Sequence, residues 1–325
     1  MIGAYLTGIH PRSEKLIEAT RAYERKRIDK EKLIRCFIED TKQVVNLQRR
    51  ANFDYVTDGM LFWQDPLRPF TENLHGIRVG ALSRWFSNNT FYWAPKVEGK
   101  LDGDGKTLVE FIHFDCLPKN KPWKIIVPGP YTFSCLSENV YYNNQYELMF
   151  DLAVILRKEI RNIIGEGFSY VQLSEPNLVF ENTAQKFEQD ALEQVEEAIR
   201  IVVEGLNVKT SVQTFFGDIT PIFPAILDFP VDCIGVDFFE TNLESLKDYK
   251  FTKDLSCGCV NSRSSIIETP ETISNFVEKV VDLLNPNHVF ICPNTGLEFR
   301  PRYVAEKKVL NIGKAVKLLK ERGYA

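Results

Sequence analysis

Eight short apolar runs punctuate this chain, and each leads into a polar or Gly/Pro-containing turn and then a helical pattern. The runs are residues 4–9, 53–57, 124–127, 170–173, 208–216, 233–238, 255–260 and 289–292. They are continuously apolar or β-branched rather than alternating, as strands covered on both faces should be. Between them, residues 13–27, 29–50, 146–164, 183–204, 272–284 and 304–322 carry apolar positions at 3.6-residue spacing among charged ones. Thr269-Pro270-Glu271-Thr272 reads as a helix start, with Pro early and an acid in the first turn. Strand–helix alternation repeated eight times predicts an α/β chain of the (β/α)8 TIM-barrel type rather than an open sheet.

The 325 residues suffice for one such barrel with an insertion, and no second core is evident, so residues 1–325 read as a single domain. The insertion lies between the second and third strands, from about 65 to 121, and is rich in aromatics. Within it, Asp102-Gly103-Asp104-Gly105 separates the strand-like stretches 94–101 and 106–114, which predicts a β-hairpin turning there. A connection this long is commonly a lid or binding loop.

Bulk properties exclude several classes of function. A net charge of −4 offers no basic stripe for nucleic acid. No apolar run approaches the length of a membrane span, and the first residues lack a signal peptide's basic start and apolar core. Seven cysteines without framework spacing suit a reducing cytosol. The expectation is a soluble, cytoplasmic protein with a small-molecule partner.

In a parallel barrel, chemistry sits where the strands end. The residues delivered there are His10 and Arg12, Asp58, Pro128-Gly129-Pro130, Glu175, Phe216-Gly217-Asp218, Asp237 with Glu240, Arg263, and Asn294-Thr295-Gly296. The candidate catalytic groups are Asp58, Glu175, Asp237 and Arg263. Candidate ligand contacts are His10, Arg12, Trp63, Trp85, Phe86, Asn89, Tyr92, Asn294 and Thr295, the aromatics being suited to stacking on a flat ligand. Each has a plainer reading. Asp58-Gly59 and Glu175-Pro176 are also common turn and cap dipeptides. Arg263 suits a structural ion pair, His10 a satisfied turn position, and loop aromatics a local core. Cys257 and Cys259 face one way on a strand, but a metal needs three or four ligands. Cys292 and His113 join them only by an arrangement the sequence does not specify, so two buried cysteines is the better reading.

The chain resembles the cobalamin-independent methionine synthase family. The resemblance rests on Gly8-Ile9-His10-Pro11-Arg12-Ser13-Glu14, Asp58-Gly59, Pro128-Gly129-Pro130-Tyr131-Thr132-Phe133, Val171-Gln172-Leu173-Ser174-Glu175-Pro176 and Pro293-Asn294-Thr295-Gly296-Leu297, in family order along the whole chain. Arg84-Trp85-Phe86-Ser87-Asn88-Asn89-Thr90-Phe91-Tyr92, Thr214-Phe215-Phe216-Gly217 and Val260-Asn261-Ser262-Arg263 resemble the N-terminal, non-zinc barrel of two-barrel members more than the catalytic one. The resemblance implies methyl transfer from a methyl-folate or related donor to homocysteine, with zinc as the cofactor.

Against that pattern, the zinc-ligating His and Cys of the fifth strand meet only Thr210, Ser211, Val212 and Gln213, and the last zinc cysteine falls at Thr295. The glutamate ligand at the sixth strand has no clear counterpart, with Asp237 and Glu240 the nearby oxygen donors. Two homocysteine contacts also change: a serine falls at Ile9 and a glutamate at Met60. Three functions follow. One is a subunit acting beside a separate catalytic barrel. The others are a stand-alone methyltransferase with a different donor or acceptor, and a ligand-binding barrel without catalysis. A uroporphyrinogen-decarboxylase-like barrel is a more distant reading.

Overall fold

The computed structural model describes residues 1–180 and 189–324. In chain order the strands are β1 (Ile2–Ala4), β2 (His75–Arg84), β3 (Phe91–Asp102), β4 (Trp123–Pro128), β5 (Glu138–Asn139), β6 (Phe168–Ser174), β7 (Lys209–Gln213), β8 (Cys233–Asp237), β9 (Asp254–Val260) and β10 (Val289–Pro293). The helices are α1 (Glu14–Glu24), α2 (Lys30–Arg50), α3 (Arg68–Asn73), α4 (Thr107–Phe111), α5 (Pro130–Cys135), α6 (Gln145–Gly165), α7 (Gln189–Val203), α8 (Pro270–Leu284) and α9 (Arg302–Glu321). The predicted helix 183–204 is α7, but residues 183–188 of that prediction lie outside the described residues.

Seven strands form one parallel sheet in the order β1-β10-β9-β8-β7-β6-β4. The predicted second strand fills the gap between the two edges. Asp54 N–H donates to Ala4 O at 3.0 Å, Val56 N–H to Pro122 O at 3.0 Å, and Lys124 N–H to Val56 O at 3.0 Å. Val56 pairs with Trp123 as a single parallel bridge. The ladder is short there because the Asp54 carboxylate takes the Ala4 N–H at 2.8 Å, replacing a backbone rung. The ring is thereby closed into a (β/α)8 barrel.

The first strand is also shorter than its apolar run. Beyond Tyr5 the chain leaves the ladder, and its carbonyls accept from the barrel interior: Lys124 Nζ donates to Leu6 O at 3.0 Å and Gln172 Nε2 to Thr7 O at 2.9 Å. That interior is aromatic and polar rather than aliphatic. Lys124 Nζ lies 3.1 Å from the centre of the Tyr5 ring, and Tyr5 and Tyr170 share a hydroxyl contact of 3.2 Å. Burial pushes the Lys124 ammonium well below its usual pKa. The aliphatic residues point outward against the helices. On α6, Leu148, Met149, Leu152, Leu156, Ile160 and Ile163 are fully buried, each contributing about 1.5–3 kcal/mol.

Helix starts follow the sequence. Ser13, Asp29, Asn144 and Thr269 each accept an N–H from the residue three further on, worth about 1 kcal/mol apiece. The long insertion is confirmed as a hairpin, but its turn is elsewhere. β2 pairs antiparallel with β3 around a tip at residues 85–90, where Trp85 N–H donates to Thr90 O at 2.9 Å. Asp102-Gly103-Asp104-Gly105 instead ends β3 and starts α4, correcting the expected hairpin. Asp104 Oδ1 accepts from Lys106 N–H at 2.9 Å, Glu159 of α6 accepts from Leu108 N–H at 3.0 Å, and Asn162 donates to Gly105 O at 2.7 Å. Those α6 side chains favour a helical start over a second strand. Among the described residues no helix is long and apolar enough to cross a membrane.

Candidate functional site

The turns after the first, second and eighth strands are tied together at one end of the barrel. Leu297 N–H donates to Ile9 O at 2.8 Å and His10 N–H to Gly59 O at 3.0 Å. Gly8 and Gly296 pack backbone on backbone: a Cβ on Gly8 would lie 2.7 Å from Gly296 Cα. The turns enclose a narrow inner cavity of about 30 Å³, whose walls include Ile9, Met60, Trp85, Val127, Phe215 and Thr295. An outer cleft of about 120 Å³ adjoins it beside Asp65, Thr90 and Tyr92. Ile9, Pro66, Trp85 and Glu298 line both spaces.

Three non-glycine residues with left-handed backbone cluster here: Met60 (φ 53°), Phe86 (φ 50°) and Phe216 (φ 68°). Such conformations cost about 1–3 kcal/mol each and persist only where the surroundings fix them. Asp58 fixes the first, its Oδ1 accepting the Met60 N–H at 2.9 Å. Asp237 fixes the third, accepting the Phe216 N–H at 3.2 Å, the Phe239 N–H at 3.0 Å and the Asn294 amide at 3.0 Å. Asn294 in turn accepts from both the backbone and the hydroxyl of Ser262. Phe86 is held by ring contacts with Phe180 and Phe216 at 5.0 and 5.4 Å.

Of the predicted catalytic groups, none lines the inner cavity. Glu175 caps α5, taking the Tyr131 N–H at 2.9 Å and the Thr132 N–H at 2.7 Å. A Cβ on Gly129 would collide with that carboxylate, which is why glycine stands there. Arg263 pairs with Glu240 and lies 5.4 Å over the Phe216 ring. Burial raises the pKa of Asp58 to about 6 and that of Glu175 to about 7, and it raises that of Asp237.

The predicted ligand contacts divide. Trp85 and Thr295 line the inner cavity, and Tyr92 lines the outer cleft while its hydroxyl donates to Leu136 O at 3.0 Å. His10 is fully buried, and burial lowers its pKa to about 3, leaving a neutral ring with Nε2 unpartnered. Arg12 is spent on the carbonyls of Leu61 and Trp63. Trp63 packs edge-on against Phe70 in the core beneath the insertion, and Asn89 is exposed at the hairpin tip.

Sequence reasoning missed Glu298. Its Oε2 is buried without a hydrogen-bond partner, and burial raises its pKa to about 8. No ion pair to it is formed among the described residues.

The donors at the family's zinc positions do not fit the metal. Gln213 accepts from Ser256 Oγ at 2.7 Å, Asp237 is committed to three N–H donors, and Thr295 offers a neutral hydroxyl where a thiolate belongs. Among the described residues, no three His, Cys, Asp or Glu side chains converge on a metal-sized position. Cys257 and Cys259 are buried in the core, while Cys292 sits in the barrel interior beside Ser256 at 3.2 Å.

Comparison with known proteins agrees with this architecture. The chain is 29% identical over 324 residues to the methionine synthase of Sulfurisphaera tokodaii, covering 98% of this chain and 93% of that protein. It is 30% identical over 327 residues to the methionine synthase of Saccharolobus islandicus, covering 98% and 96%. A B12-independent methionine synthase from Shewanella, solved in complex with selenomethionine, superposes with a TM-score of 0.77 at 18% identity over 98% of both chains. A methyltransferase from Methanosarcina mazei superposes with a TM-score of 0.58 at 9% identity, covering 98% of this chain and 95% of that one. The family model for the catalytic domain of cobalamin-independent synthase matches residues 2–318, and the chain belongs to that family.

Proposed function

We propose that this chain takes part in methyl transfer to homocysteine from a methyl-folate or related donor, in methionine biosynthesis in the cytoplasm, beside a separate barrel that carries the zinc. One observation carries the reading. The family's barrel and its strand-end turns are kept around a cavity, while Ser211, Gln213 and Thr295 stand where a thiolate–imidazole set is required. Without that set the homocysteine thiol is not activated by metal here. What this chain supplies is a shaped cavity and fixed turns.

The test is affinity purification of the tagged chain from its own cells grown without methionine. The reading expects a zinc-containing barrel to co-purify, and the complex, but not the chain alone, to methylate homocysteine. Absence of such a partner, with no effect of deleting the chain on methyl transfer, sinks it.

The second reading is a stand-alone methyltransferase with a different donor or acceptor. It is favoured by length, because the chain spans 93–96% of curated relatives that bear the methionine synthase name. Methyl transfer by the purified chain alone selects it.

A further inference from the structure

The geometry points to the junction of the two cavities as a subsite for a small organic cation, with Glu298 as its counter-ion and Met60, Val127 and Trp85 as the walls for its apolar part. This deepens the functional reading above by naming the charge of the group that enters, and it rests on that reading only for the identity of the ligand.

No Lys, Arg or His lines the inner cavity or the outer cleft, whereas Glu298 lines both and Asp65 lines the cleft. The hydroxyls of the inner cavity are largely committed. Thr7 Oγ1 donates to Pro293 O at 2.7 Å, Thr132 Oγ1 accepts from Asn177 N–H at 3.2 Å, and Ser174 Oγ accepts from Gln172 Nε2 at 3.1 Å. Glu298 Oε2 is the exception, enclosed and without a partner.

The turn is shaped to hold the carboxylate in this place. A Cβ on Gly296 would lie 2.1 Å from Glu298 Oε2, so the carboxylate lies directly over a backbone that has no side chain. A buried carboxylate oxygen without a partner is costly, and a ligand that pairs it recovers that cost. The free acid, its pKa raised by burial, is largely protonated near neutral pH; an entering cation releases that proton to solvent and pairs the carboxylate, which an anionic or a neutral apolar group cannot do. A protonated amine or other onium group satisfies the carboxylate, and Trp85, which lines both spaces, offers an aromatic wall beside it. The inner cavity's volume of about 30 Å³ makes it a narrow space, suited to a slender ligand rather than a bulky one.

Calorimetry on the full chain with three probes of one skeleton tests this: 3-(methylthio)propylamine, 3-(methylthio)propan-1-ol and 3-(methylthio)propanoate. The amine is expected to bind best. Glu298→Gln is expected to weaken amine binding at least 30-fold, about 2 kcal/mol at 1.4 kcal/mol per tenfold, and to leave the alcohol unchanged. Should Glu298→Gln fail to fold, Glu298→Asp keeps the charge but retracts it by one methylene, and a smaller loss confined to the amine is expected. Equal affinity for the three probes, or amine binding indifferent to either substitution, overturns the proposal. L-homocysteine and trimethylsulfonium, run alongside, distinguish an acceptor's ammonium from a cationic methyl donor as the source. Amine binding that needs Glu298, with no methylation of homocysteine alone or in complex, would refute the functional reading and leave the subsite standing. Methylation with amine binding indifferent to Glu298 would do the reverse.

Discussion

Replacing Glu298 by glutamine should stabilise the protein at high pH and do little at low pH. Glutamine has the shape of the protonated acid but cannot ionise. Moving a carboxyl pKa from 4.5 to about 8 corresponds to about 5 kcal/mol between the two protonation states. Part of the side chain keeps contact with solvent, so water reaches the ionised form and about 2–4 kcal/mol is the expected share. Because the folded-state pKa lies above the unfolded one, the native protein holds this proton more tightly. Its contribution is full below about pH 4.5 and lost as pH rises to about 8. Unfolding entropy of roughly 2.1 cal/mol/K per residue gives the whole chain about 0.7 kcal/mol/K, so each kcal/mol moves Tm by about 1.5 °C. Melts followed by circular dichroism at pH 5 and pH 9 should therefore show the advantage of Glu298→Gln growing by about 3–6 °C across that interval. The same Tm difference at both pH values would mean that the carboxyl is paired or solvated, and the reasoning about an orphaned acid would fail.

Other substitutions probe the frame around the cavity. Glu175→Ala should cost about 2–4 kcal/mol by orphaning the Tyr131 and Thr132 N–H groups of α5, read as a lower urea midpoint at unchanged slope. Gly8→Ala should cost more than about 2 kcal/mol or prevent soluble folding, since its Cβ meets backbone at 2.7 Å, whereas Gly165→Ala, with open space around its Cβ, should be neutral or stabilising by up to about 1 kcal/mol in the same titration. Protein purified without added metal should contain no stoichiometric zinc by elemental analysis, and a full equivalent would overturn the reading of Ser211, Gln213 and Thr295.

The fold was legible because its signals are local. Thr269 caps α8 through the Thr272 N–H as its tetrapeptide predicts, and the run 53–57 closes the ring at Val56 even though its ladder is a single bridge. Local reasoning fails where distant segments decide. The Asp-Gly repeat at 102–105 has hairpin chemistry, yet Glu159 and Asn162 of α6 take its N–H and carbonyl groups and turn the next residues into α4. Trp63 looked like a mouth aromatic from its place just before the insertion, and its burial against Phe70 depends on α3 folding beside it. Glu298 carried no signal at all. In Leu297-Glu298-Phe299-Arg300 it reads as one more surface glutamate, and only the Gly8–Gly296 contact between the chain's two ends places its oxygen inside.

That contact also explains how the site differs from the family pattern as a whole rather than residue by residue. With isoleucine and methionine at positions 9 and 60, the first and second turns bring apolar groups to the cavity, and threonine at 295 removes the thiolate from the eighth. A cavity so lined would be merely a well-packed core if nothing polar remained in it. Instead Glu298 of the eighth turn lines both spaces with one carboxylate oxygen unpartnered, and Met60, Phe86 and Phe216 hold left-handed backbone around its rim. An orphaned acid and three strained residues are each costs that simple packing removes, for instance with glutamine or methionine at 298. Their concentration at one end of the barrel, while the remaining strand-end carboxylates are hydrogen-bonded or ion-paired, marks this junction as the part of the fold shaped for a ligand.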